Sequence, residues 1–230
     1  MAVVYRSNFE RSGKPVVVFR GTDADPNFPE ELKKDAFTDA MQGMGFYTDA
    51  YKQTENLARQ LQKDLGSSFD IAGHSLGGGE ASLAGLLTGN DTYTFNAAGL
   101  HENSMLRARI NPKELLAKEQ KIQAFYSDQD PLSWNQDHGY VAKGLIKKLL
   151  PPVTPMGVPP IPSPLDPLLD DPRTMPAAIG IRRKLPDGGG HWSPAMVDGA
   201  GHAVPPMVAA LEKQKDEDLA TIHQLVPAAR

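Results

Sequence analysis

A chain of 230 residues, 40% hydrophobic and 23% charged, has room for one large α/β domain and little room for two. The absence of cysteine excludes disulfides, thiol catalysis and thiolate metal sites. A formal net charge of -4 argues against a nucleic-acid partner, which calls for a basic face, and no apolar run reaches the length of a membrane-spanning helix.

The N-terminal stretch has no basic segment followed by a long apolar one, so no secretory signal is expected. AVVYRS (2–7) and KPVVVFRGT (14–22) are β-branched apolar runs joined by a polar segment, which predicts two strands in a hairpin-like pair. A polar loop follows. From Phe46 to Leu65 the apolar positions recur at three- and four-residue steps and end at Gly66, predicting a long amphipathic helix.

The next stretch, DIAGHSLGGG (70–79), ends a short apolar run in a serine fenced by glycines and leads into the Ala/Leu-rich EASLAGLLTG. With a strand over Phe69 to Ala72 and a helix over Glu80 to Leu87, this is a nucleophile elbow. Ser75 sits at the tip of a strained turn. Gly73 and Gly77, two residues to either side, are small enough to let the chain cross itself there. The Leu76 amide, at the start of the helix, then points to where an oxyanion would form.

Further on, TYTFNAAG reads as a strand, and Asn111 followed by Pro112 marks the start of a helix. KIQAFYS is another strand, which stops at DQDPLSW. Strands alternating with helices predict an α/β fold with a mostly parallel central sheet flanked by helices, whose sites lie beyond the carboxyl ends of the strands. Residues 151–176 hold half of the 20 prolines, which rules out helix or central strand over any length. The apolar residues spread through them, among them Met156, Ile161 and Leu168, favour an insertion wrapped on a single 1–230 domain over a linker. IRRKLP is read as a last strand, and GHAVPPMVAALEKQ as a loop running into a helix whose tail is a solvated face.

A serine becomes a nucleophile when a base takes its proton and a carboxylate orients that base. On this scaffold the order is serine, acid, histidine. Asp128 and Asp130 are the candidate acids, and His138, His191, His202 and His223 the candidate bases.

VVVFRGT, GHSLGGGEA, TFNAAG and SDQDPLS together resemble the class 3 lipase family, α/β-hydrolases that cleave acyl esters of glycerides and phospholipids. The resemblance spans residues 16 to 135 in the family's order. It implies an α/β-hydrolase fold with Ser75 as nucleophile, Thr22 and Leu76 as the oxyanion-hole residues, and Asp130 as the acid, with Asp128 as the alternative. The family's histidine comes late, near a final helix, which favours His202, with His191 as the alternative. No metal or other cofactor is implied. The substrate implied is an acyl ester of a lipid, and the likeness to bacterial lipase-like toxins favours a glycerophospholipid met at a membrane surface. The first loop, with Phe28, Phe37, Met41 and Met44, and the Pro-rich insertion are the candidate acyl-binding walls. Because signal peptide and disulfides are both missing, a cytoplasmic location or a specialised export route is expected. Bacterial lipase-like toxins share this look. For such an effector a cognate immunity protein covering the cleft would be the partner. Two other readings remain open: a small-ester esterase, and an inactive hydrolase-fold binding module.

Overall fold

The computed structural model describes residues 2–7, 13–21, 48–127, 130–138, 176–186 and 204–225. Its centre is a six-stranded sheet: β1 (Ala2–Tyr5), β2 (Val16–Phe19), β3 (Asp70–His74), β4 (Thr92–Phe95), β5 (Ile122–Tyr126) and β6 (Ile181–Lys184). The strands lie side by side in chain order. β1 pairs antiparallel with β2, as the two N-terminal apolar runs predict, and every later pair is parallel. Parallel pairing requires crossovers long enough to return the chain, and helices supply them. The architecture is thus α/β, with a mostly parallel sheet flanked by helices.

The crossover from β2 to β3 ends in α1 (Asp49–Leu65), which stops at Gly66 in a positive-φ conformation (φ 59) where the sequence places the stop. α2 (Leu76–Thr88) links β3 to β4 and is buried from Leu76 through Leu86. Between β4 and β5 run α3 (Glu102–Arg107) and α4 (Pro112–Glu119). The Asn111 side chain accepts from the Lys113 N–H at 3.1 Å and donates to Glu114 at 3.0 Å, so one residue closes the start of α4 from both directions. α3 begins on His101, whose Nδ1 accepts from the Asn103 N–H at 3.1 Å. α5 (Pro131–His138) follows β5, and α6 (Val204–Leu225) closes the described chain.

The side-chain alternation of the strands divides the core between two faces. On one face, Val17, Phe19 and Ile71 pack against Ala58 of α1 and Ala81 and Ala84 of α2. Beside them, Tyr51, Leu83, Leu86, Leu100 and Ile122 form a second cluster. Each large aliphatic side chain buried this way stabilises the fold by about 2 kcal/mol. On the other face, Phe95 and Phe125, neighbours across β4 and β5, stack with ring centroids 5.6 Å apart. They pack with Met207 and Ala210 of α6 and with Leu185. In the latter part of α6, residues 215–221 are exposed, as the sequence reading of a solvated tail expects. Among the described residues no helix is long and apolar enough to cross a membrane. Apart from Pro176, the Pro-rich insertion lies outside the described residues, as does the first loop with Phe28, Phe37, Met41 and Met44.

Candidate active site

β3 ends at His74 and α2 begins at Leu76, so a single residue, Ser75, makes the whole turn between strand and helix. The turn is tighter than the sequence reading, which ends the strand at Ala72 and starts the helix at Glu80. Glycines 77, 78 and 79 allow the early helix start, because a Cβ at any of them would overlap a neighbour: the backbone of residues 19–21 at Gly77, Ala97 at Gly78 and the Tyr51 hydroxyl at Gly79. A Cβ on Gly77 would stand 2.7 Å from both the Arg20 carbonyl carbon and the Gly21 nitrogen, and closer still to the Phe19 oxygen. One on Gly73 would stand 2.9 Å from the Ala81 Cβ and closer to the Gly77 carbonyl group.

Ser75 adopts φ 59 and ψ -129, a region that L-residues other than glycine rarely enter. Such a conformation costs on the order of 1–3 kcal/mol and persists only where the surroundings enforce it. Here the backbone is held from several sides. The Ser75 N–H donates to the Phe95 carbonyl at 3.1 Å, and the Ser75 carbonyl accepts from Gly78 at 2.9 Å, Gly79 at 3.3 Å and Ala98 at 2.9 Å. At about 1 kcal/mol each, these bonds offset the strain. The residue is buried, only 5% exposed.

The Leu76 N–H belongs to the first turn of α2, where amides have no partner within the helix and carry the positive end of its dipole. The end of β2 comes alongside, since a Cβ on Gly21 would lie 3.3 Å from the Ser75 Cβ. Thr22 follows Gly21 directly but lies outside the described residues.

Asp130 follows β5, beyond the carboxyl end of that strand, and is fully buried. Its carboxylate caps α5: Oδ2 accepts from the Ser133 N–H at 2.8 Å and Oδ1 from the Leu132 N–H at 3.3 Å. The Asp130 N–H in turn donates to the Ser127 carbonyl at 3.1 Å. α5 is itself anchored. Gln136 Nε2 donates to the Ala97 carbonyl at 2.9 Å, and Asp137 pairs with Arg182 of β6, whose guanidinium lies 4.2 Å from the centre of the Tyr126 ring. The carboxylate therefore has a fixed orientation.

Ser75 and Asp130 leave the sheet at the same end, from β3 and β5, with β4 between them. Two inter-strand spacings amount to about 10 Å, a gap that one imidazole hydrogen-bonded on both sides can bridge when the flanking side chains lean toward it. Of the other candidate residues, Asp128, His191 and His202 lie outside the described residues, while His138 ends α5 and His223 lies near the end of α6. His101 is accounted for as the cap of α3.

Two features of this region escape a reading of the sequence. α5 is one, although Asp130 followed by Pro131 is a cap-and-first-turn signal of the kind recognised at Asn111 and Pro112. The other is Asn96, fully buried at φ 42 straight after β4. An asparagine after a strand is a common turn residue, and although TFNAAG is one of the stretches that carry the family resemblance, nothing in the sequence singles out Asn96 within it.

The family described as Tle-like phospholipase domain matches residues 1–158, which include Ser75 and Asp130 and stop short of His191 and His202. Extracellular phospholipase A1 of Serratia liquefaciens is 38% identical over 79 residues, 34% of this chain. The matched stretch spans 25% of that protein's length.

Proposed function

The chain belongs to the Tle-like phospholipase domain family, and on that premise we propose that it hydrolyses acyl esters of glycerophospholipids through an acyl-serine intermediate. The observation that carries this reading is the strained, multiply anchored Ser75 between a strand and the N-terminus of a buried helix. The similarity to an extracellular phospholipase A1 supports the choice of a lipid ester. In this reading residues 1–230 form one α/β-hydrolase domain of the class 3 lipase type, with the Pro-rich segment as an insertion.

Ser75 Oγ attacks the ester carbonyl carbon while the imidazole of His202 takes the hydroxyl proton. His202 is preferred to His191 because it precedes α6 by two residues, and the first turns of α6 rest on Phe95, Phe125 and Leu185 near the carboxyl ends of β4, β5 and β6. Asp130, rather than Asp128, accepts from the far side of the ring and stabilises the cation. The tetrahedral oxyanion is received by the Leu76 and Thr22 amides, each contributing about 3 kcal/mol to transition-state stabilisation. Collapse breaks the ester bond and expels the alcohol, a lysophospholipid, which leaves with the proton from the imidazolium. Water, deprotonated by the same base, then releases the fatty acid and restores Ser75.

The reaction takes place at a bilayer surface, with the first loop and the Pro-rich insertion supplying the acyl-binding walls. A protein exported as a toxin would have a second partner, an immunity protein seated on the cleft. The test is product analysis of mixed phospholipid vesicles incubated with the wild type and with Ser75→Ala. Fatty acid and lysophospholipid released by the wild type alone support the proposal, and their chain composition identifies the ester cut. Absence of products from vesicles, with a short-chain soluble ester cleaved, replaces phospholipase with small-ester esterase. Absence of both overturns hydrolysis in favour of a binding module.

A further inference from the structure

We infer that Asn96 is a positioning residue that holds the nucleophile elbow and the acid turn in register, an inference that rests on the serine-hydrolase reading above. Asn96 stands at the carboxyl end of β4, the strand between the one that delivers Ser75 and the one that delivers Asp130. On the elbow side, its immediate neighbours bind Ser75 through both backbone groups: the Phe95 carbonyl accepts from the Ser75 N–H at 3.1 Å, and the Ala98 N–H donates to the Ser75 carbonyl at 2.9 Å. On the acid side, Asn96 uses both backbone and side chain. Its N–H donates to the Phe125 carbonyl at 2.9 Å, and its Oδ1 accepts from the Ser127 N–H at 3.0 Å. The Ser127 carbonyl then accepts from the Asp130 N–H at 3.1 Å. A continuous path of hydrogen bonds thus runs from the Ser75 backbone, across residues 95–98, to the Asp130 backbone.

The residue type fits this task and no simpler one. A positive φ of 42 is reached without penalty by glycine and at low cost by asparagine or aspartate. Glycine would serve if the turn were all that mattered. Asparagine adds an acceptor at the Ser127 N–H while introducing no charge at a fully buried position. Its Nδ2, also buried, has no hydrogen-bond partner among the described residues, so burial of the amide carries a cost that the Oδ1 bond must justify. What that bond secures is the path of Ser127 out of β5, and with it the place from which Asp130 faces the base.

Three proteins test the inference: the wild type, Asn96→Gly, which keeps the turn and loses the acceptor, and Asn96→Asp, which keeps both. Active sites are counted with a fluorophosphonate probe, and kcat, KM and the pH profile of kcat/KM are measured per labelled site on a soluble ester. For Asn96→Gly a loss of at least 10-fold in kcat is expected, approaching about 100-fold for a displacement near 1 Å, with KM changed less than threefold. The acidic limb of kcat/KM should move to lower pH, because an imidazolium deprived of its aligned carboxylate gives up its proton more readily. Partial unfolding would lower the labelled fraction and leave this limb in place. Asn96→Asp should recover most of kcat. Wild-type kcat per site and an unmoved acidic limb in Asn96→Gly would overturn the inference, as would equal losses in both variants. Should Asn96→Gly fail to fold, Asn96→Asp decides alone: kcat per site within about threefold of wild type supports the role, and a loss near 100-fold with normal labelling overturns it. A wild type that neither takes the probe nor cleaves ester removes the serine-hydrolase reading and this inference together.

Discussion

Gly77→Ala tests whether the elbow's close packing is what builds the site. The added methyl group would begin 2.7 Å from the Arg20 carbonyl carbon and the Gly21 nitrogen, whereas ordinary contacts of a Cβ start near 3.4 Å. Those neighbours are backbone, so no rotamer change relieves the overlap. The first turn of α2 and the end of β2 must separate by about 0.7 Å to clear these two atoms, and by more to clear the Phe19 oxygen. Overpacking of this kind typically costs 1–3 kcal/mol, and the rigid neighbours place this case at about 3 kcal/mol. The same displacement parts Leu76 from the loop that leads to Thr22, the two sides of the proposed oxyanion hole. A shift approaching 1 Å in such a constellation lowers turnover by roughly 100-fold. Denaturant unfolding gives the first quantity, and ester hydrolysis per correctly folded molecule gives the second. A Gly77→Ala protein with an unchanged denaturation midpoint and unchanged turnover would refute the argument that backbone contact at Gly77 sets the site.

Asp130→Asn should reduce turnover by roughly 10³- to 10⁴-fold, measured on the same ester, because the amide cannot stabilise the imidazolium as a carboxylate does. It should also lower stability, since one of the two N–H groups of α5 that now meets a carboxylate oxygen would meet an NH₂ group. Asn111→Ala removes the cap of α4 and should cost about 1 kcal/mol in urea unfolding while leaving turnover per active site unchanged. At Glu114 a hydrogen bond from Lys118, then one from Asn111, then the Lys118 charge hold the carboxyl below the ordinary carboxylate range. With its folded value below its unfolded one, the contribution to stability is complete above the unfolded value and disappears as pH falls through the folded value. The midpoint difference between wild type and Glu114→Gln should therefore shrink on acidification, and a difference constant from neutral pH into the acid range would contradict the pairing.

The parts of the fold legible in the sequence are those in which local chemistry and tertiary packing agree. Val16 to Phe19 and Ile122 to Tyr126 are β-branched and aromatic runs that the sheet buries, and Asn111 with Pro112 starts a helix for reasons contained within one turn. The hairpin of β1 and β2, the parallel order that follows and the stop at Gly66 are of this kind. The elbow was legible in its centre and not at its edges. Ser75, Gly73 and Gly77 mark the turn, but how far β3 and α2 extend toward Ser75 depends on how closely α2 approaches β2 and β4, a tertiary distance. Asp130 stood out as a candidate acid, whereas its capping of α5 did not, because PLSWNQDH lacks the apolar spacing that announces a packed helix. Asn96 was hidden for a related reason: its partners, Ser127 and Phe125, lie 31 and 29 residues away, at the end of another strand. The base, the Thr22 amide and residues 151–175 fall outside the described residues, and for these the reading rests on the sequence.

The central claim is that Ser75 is the nucleophile, and site-resolved covalent labelling tests it most directly. The protein is titrated with a fluorophosphonate while ester hydrolysis is followed, then digested, and the modified residue is located by mass spectrometry. The account predicts one phosphonyl group per active molecule, on Ser75, with activity lost in proportion to its appearance and no labelling of Ser75→Ala. Activity that survives complete modification of Ser75, or full inactivation with the label on another residue, would contradict it.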